Sequence, residues 1–138
     1  VEVIDGADGR GATFDLTTLF GDQAANVTRT AVLVDDSYLR IEDSVTAHEA
    51  RDARVRVTFV TPAEVELSDD CIVLRRDGRM LTLKTEGSGV AYRQWPADPK
   101  AYDSPLRQYD IPDPEARLCG FEAVVPAGGK AVFVTTVR

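Results

Sequence analysis

The strongest constraint in this 138-residue chain is a hydrophobic period of two. In Arg54-Val55-Arg56-Val57-Thr58-Phe59, Val55, Val57 and Phe59 share one face, and Arg54, Arg56 and Thr58 share the other. Only an extended strand with one buried face separates residues in that way. A second segment fixes a register as well as a strand. Cys71-Ile72-Val73-Leu74-Arg75 and Met80-Leu81-Thr82-Leu83-Lys84 flank Arg76-Asp77-Gly78-Arg79. Asp77-Gly78 suits a two-residue type I′ turn, whose central positions both need positive φ. That turn sets Leu74 opposite Leu81 and Ile72 opposite Leu83, so four apolar side chains fall on one face.

Further strands follow at short spacing. Thr28–Val34 and Tyr38–Val45 read as a hairpin around Asp35-Asp36-Ser37, with Val32, Leu39 and Ile41 as core candidates. Ala12–Leu16, Val65–Leu67 and Val90–Trp95 are shorter strands. Arg117–Val125 and Lys130–Val137 flank a turn at Pro126-Ala127-Gly128-Gly129. The best helical candidate, Ala47–Ala53, is too short and polar for more than one turn in a loop. Strands without intervening helices predict an all-β fold, an antiparallel two-layer β-sandwich. With 138 residues the chain (1–138) is a single domain. Because it starts at Val1, without a charged leader or apolar h-region, it reads as part of a larger chain.

The chemistry-bearing residues narrow the functional classes. A net charge of −7 repels a phosphate backbone, so nucleic acid is not an expected partner. No apolar run is long enough for a membrane span. The one histidine, His48, has no second His to form a metal cluster, and no Gly-x-Ser-x-Gly elbow supports a triad. Neither a metal nor a cofactor is expected. Asp5–Gly11 superficially resembles a calcium loop, but Leu16 falls where the last ligand should be, so a Gly-rich lead-in loop is the better account. Asn26-Val27-Thr28 fits a glycosylation sequon, a motif short enough to arise by chance. Cys71 and Cys119 sit in apolar runs, where two free thiols are favoured over a disulfide.

The stretch 96–115 carries five of the seven prolines and follows Trp95 directly. Loops of this length in a small domain are usually functional or packed against something. Trp95, Tyr102 and Tyr109, with Arg93, Lys100 and Arg107, supply aromatic faces for sugars and guanidinium forks for carboxylate or sulfate. The same aromatics equally suit a loop anchored on the sandwich or on a neighbouring domain. Exposed coplanar rings favour glycan binding, and buried rings favour bracing.

The order of segments then becomes informative. Ala12-Thr13-Phe14-Asp15-Leu16-Thr17 precedes the Arg-containing strand Thr28-Arg29-Thr30-Ala31-Val32-Leu33-Val34. Tyr38-Leu39-Arg40-Ile41-Glu42-Asp43-Ser44-Val45 follows, then Val55–Ala63. This order resembles the C-terminal β-sandwich region of heparinase II/III-like polysaccharide lyases, where an R-T-V strand leads to Y-L-x-I-x-D-x-V and later to F-x-T-x-A. The resemblance implies a bacterial, periplasmic or secreted parent enzyme that cleaves acidic polysaccharides by β-elimination. An upstream helical toroid domain of the same chain would be this domain's partner, with glycan bound between them. The elimination removes the proton α to a uronate carboxyl group with Tyr and His as base and acid. No position here matches those family residues, so no catalytic residue is assigned and the domain alone is expected to be inactive. Arg29 and Asp43 lie in the matching strands, where a lone charge is costly if buried. They are expected to act structurally, as a pair across the hairpin, with cleft lining as the competing role. A free-standing carbohydrate-binding or adhesin-like module is the alternative to the lyase reading.

Overall fold

Alternation in the Arg54–Phe59 segment becomes strand β5 (Ala53–Thr61), where Ala53, Val57 and Thr61 are buried and Arg54, Arg56, Thr58 and Val60 are exposed. The computed structural model describes residues 1–7, 9–97 and 113–138. Before β5 come β1 (Glu2–Gly6), β2 (Gly9–Asp15), the short helix α1 (Thr17–Phe20), β3 (Asn26–Val34) and β4 (Tyr38–Thr46). After it come β6 (Glu64–Leu67), β7 (Ile72–Arg76), β8 (Arg79–Glu86), β9 (Ala91–Trp95), β10 (Arg117–Val125) and β11 (Lys130–Val137). They form two antiparallel sheets, one of eight strands in the order β1-β2-β3-β4-β11-β8-β7-β6 and one of three in the order β5-β10-β9. The all-β sandwich expected from the sequence is the observed fold.

The β7–β8 register follows from its turn. Asp77 and Gly78 both take positive φ, at 52° and 72°, and Leu74 faces Leu81 while Ile72 faces Leu83. The β3–β4 hairpin also forms. Asp35 and Asp36 take positive φ, and Arg10 forms an ion pair with Asp36 at the turn. Leu39 and Ile41 share the inner face of β4, but Val32 pairs with Arg40 and is buried on the opposite face, beside Gly9. A one-residue difference in parity is enough to reverse a side chain's face.

One expectation changes, and the connections at 47–53 and 126–129 gain detail. The Gly-rich lead-in is a hairpin, because Glu2–Gly6 pairs with Gly9–Thr13. Gly11 permits it: a Cβ there would collide with the Ala31 carbonyl of the adjoining strand. The one short helix among the described residues lies at Thr17–Phe20, and 47–53 forms no more than a turn within a loop, as expected. Tertiary hydrogen bonds hold that latter stretch as a loop, with Gly128 N–H donating to the His48 carbonyl and Ala127 N–H to Asp52 Oδ1. Finally, β10 and β11 leave the Pro126–Gly129 turn into different sheets, so this turn crosses between layers.

The core lies where the small sheet covers the large one. Cys119, Phe121 and Val125 from β10 meet Phe133 from β11, Ile72 from β7 and Leu83 from β8. The Phe121 and Phe133 ring centroids are 5.4 Å apart and tilted, a favourable aromatic arrangement. Tyr92 closes one side, accepting a hydrogen bond from Thr85 N–H at 2.6 Å and donating to the Asp70 carbonyl at 3.3 Å. Coverage is unequal. β5 approaches β4, and β9 and β10 approach β6, so β1, β2 and β3 extend past the small sheet. On that extension Val3, Phe14 and Leu33 occupy the core-side face yet remain exposed.

Candidate functional site

The fold builds a groove where the small sheet stops. Its volume is about 390 Å³. One wall is β5, the floor is Val27, Arg29, Asp43 and Val45, and the far wall is Leu16 and Phe20 around α1. Thr17 anchors that far wall: its hydroxyl accepts from Val27 N–H at 3.1 Å, while Leu16 N–H donates to the Val27 carbonyl. His48 reaches the same turn, its Nε2 donating to the Gly21 carbonyl at 2.8 Å. This histidine fastens the β4–β5 connection to α1, where the sequence alone suggests only a solvated loop.

Arg29 and Asp43 are register partners on β3 and β4, and their side chains meet in the groove floor. Arg29 Nε donates to Asp43 Oδ1 at 2.7 Å and Nη2 donates to Oδ2 at 3.1 Å. This fork-to-carboxylate geometry satisfies both oxygens of a side chain only 7% exposed, while the Arg29 side chain keeps 34% of its surface accessible. The pair therefore compensates a buried carboxylate and also presents a guanidinium to the groove. Arg54 and Arg56 add two exposed cations on the β5 wall. Of these charges, Arg29 is neutralised by Asp43 and Arg56 carries its guanidinium onto the outer face of the small sheet, which leaves Arg54 as the unpaired cation beside the groove among the described residues.

The outer face of the small sheet adjoins this wall. Arg93 and Trp95 project from β9 on the same side as Arg54 and Arg56 from β5, with β10 between them. Arg56 places its guanidinium carbon 3.9 Å from the Trp95 ring centre. It crosses β10 diagonally at Gly120, where the absence of a side chain leaves room. A Cβ at Gly120 would also collide with the Val57 carbonyl. Arg93 lies 3.8 Å from Glu122 and donates to the Tyr92 carbonyl at 3.0 Å. The Trp95 ring is half-buried and capped by a cation. Tyr102, Tyr109, Arg107 and Lys100 lie outside the described residues.

Sequence reasoning missed Arg54, Arg56 and Phe20 as groove residues. The two arginines alternate with valines as any solvent-facing pair on a strand does, and only the sheet order reveals that β5 is an edge. Both cysteines are free, with Cys119 in the core, where burial pushes its thiol pKa up and keeps it protonated. Among the described residues, no group of three or more His, Cys, Asp or Glu side chains is arranged to hold a metal ion. No described helix is long and apolar enough to cross a membrane.

These features define a two-layer β-sandwich with a groove at the margin of its smaller sheet. No family model and no curated protein sequence matches the chain. Among solved structures, it is similar to a heparinase III, with a TM-score of 0.68 and 16% sequence identity over 100% of this chain and 20% of that one. The likeness is one of fold, and this chain spans about a fifth of the length of that heparinase III.

Proposed function

We propose that this chain is a non-catalytic β-sandwich domain of a heparinase II/III-like polysaccharide lyase, which supports a catalytic helical toroid and forms one wall of the glycan cleft. The observation that carries this reading is the fold likeness to heparinase III over the whole of this chain and only a fifth of that one. The segment order Ala12–Thr17, Thr28–Val34, Tyr38–Val45 and Val55–Ala63 points the same way. The described candidates for proton transfer have other engagements. His48 binds the Gly21 carbonyl, the Tyr92 hydroxyl is tied to Thr85 and Asp70, and Tyr38 lies under Arg138. On this reading the parent enzyme works in the periplasm or outside the cell on a uronic-acid-containing acidic polysaccharide.

The reading has two tests. The isolated domain, incubated with heparan sulfate or alginate, should release no unsaturated uronide; appearance of that product would overturn the non-catalytic assignment. Sequencing the reading frame upstream of Val1 tests the parent. Several hundred residues of helical pattern carrying Tyr and His support the lyase, whereas a signal peptide alone sinks it in favour of a free-standing carbohydrate-binding module.

A further inference from the structure

The edge of β5 carries an inference independent of the lyase reading. β5 is nine residues long and ends the three-stranded sheet, and among the described residues nothing pairs with its outer edge. Every second residue of an edge strand points its N–H and C=O away from its neighbour, a row that another backbone can complete. Natural edges are commonly blunted by proline, a bulge or an inward charge. β5 has no proline, bulge or inward charge: its register with β10 is unbroken from Ala53 to Thr61, its inward side chains are Ala53, Val55, Val57, Phe59 and Thr61, and its two charges, Arg54 and Arg56, point outward. Beside that edge the floor continues, since β3, β2 and β1 extend beyond β5 with Phe14, Ala12, Ala31, Leu33 and Val3 on the core-side face, alongside Arg29 and Arg10.

We propose that β5 takes an added strand from a partner protein, an extended segment in which acidic and apolar residues alternate. Hydrogen-bond geometry selects a polypeptide, because only a backbone supplies donors and acceptors at strand spacing along the edge. Alternation follows from the two faces of the site. Inward side chains of the guest would fall over Val27, Val45 and Phe20 in the groove, and outward ones would lie beside Arg54 and Arg56. Arg54 and Arg56 make no ion pair among the described residues; Arg54 is open to a carboxylate opposite it, and Arg56 gains one by swinging its guanidinium off the Trp95 ring. A second copy is a poor guest in this mode. Joining two β5 edges would bring four arginines onto one face and drive the two overhanging β1–β3 extensions into each other.

The test uses the whole 138-residue chain and capped seven-residue synthetic peptides alternating valine with glutamate, valine with lysine, and valine with glutamate but N-methylated at alternate amides. Trp95 is the single tryptophan and stacks on Arg56, so its fluorescence reports events on the β5 wall, while amide chemical shifts map the contact. The glutamate peptide should bind with shifts confined to β5 and α1, and the other two should bind at least tenfold more weakly. In the exposed double variant Arg54→Glu/Arg56→Glu, the preference should move to the lysine peptide while thermal unfolding stays cooperative. Equal binding of both charges, shifts mapping elsewhere, or no binding at millimolar peptide would overturn the proposal. Concentration-dependent dimerisation through β5 would overturn it in favour of a second copy. Binding of a heparan sulfate oligosaccharide at β5 in place of the glutamate peptide would overturn it in favour of a glycan.

Discussion

The two ends of the large sheet share a backbone plan but not an environment. Under β9 and β10, Phe121, Phe133 and Cys119 are wholly excluded from water, and the hydroxyls of Thr85 and Thr135 bond each other at 2.9 Å. Beyond the edge of β5, core-side positions of β1–β3 hold Val3, exposed by 78%, and Phe14, exposed by 37%. The covered end is close-packed, so every methylene there has partners. At the open end, apolar residues keep much of their surface in water beside the Arg29–Asp43 pair and the exposed Arg54. Stability is concentrated in one region, and surface available to a partner in the other.

Mutations can break or sharpen that contrast. Phe121→Ala should cost the most, about 3–5 kcal/mol, by leaving a cavity against Phe133; a urea midpoint close to that of the parent chain would show that the core is not continuous there. Arg29→Ala comes next, at about 2–3 kcal/mol, because it strands the buried Asp43 carboxylate, discounted for the partial exposure of the arginine. Unchanged stability in Arg29→Ala would argue against a structural role for the pair and for cleft lining. In a double-mutant cycle, Asp43→Ala should recover part of the loss.

Tyr92→Phe should cost about 1 kcal/mol, since it removes one acceptor and one donor at the margin of the core. Phe14→Ser should change the unfolding free energy by less than about 0.5 kcal/mol, as exposed positions usually do; a loss comparable to that of Phe121→Ala would mean the open end is covered after all. The smallest effect concerns pH. Hydrogen bonds from Thr17, by its side chain and its backbone N–H, hold the Asp15 carboxyl pKa below the ordinary aspartate range. A depressed folded-state pKa adds stability that is present above the unfolded value of about 3.9 and lost as pH falls through the folded value. The Tm advantage of the parent chain over Asp15→Asn should therefore shrink in that acidic window, and an advantage that grew instead would reverse the assignment.

Much of the local structure was legible because it is set by neighbours in the chain. The alternation at Arg54–Phe59 dictates a half-buried strand wherever it sits, and Asp77-Gly78 dictates the turn that sets Leu74 against Leu81. Arg29 and Asp43 stood out as charges on patterned strands, and the β3–β4 register brought them together. The Pro-rich aromatic stretch was visible as composition alone, and Trp95 shows what composition leaves open. Its ring, a stacking surface for a sugar on paper, is covered by Arg56 from two strands away, because Gly120 between them has no side chain.

By itself, then, the sequence determined which segments are extended, which face of each is apolar, and the hairpin registers governed by short turns. Those properties depend on interactions between residues a few positions apart. The tertiary structure alone decided that β10 and β11 part into different layers and, among the described residues, that β5 ends its sheet and that eight strands lie beneath three. Period-two patterning is identical for a central strand and an edge strand. What distinguishes them is which remote segment supplies the next row of hydrogen bonds, and that is a matter of packing among distant parts of the chain.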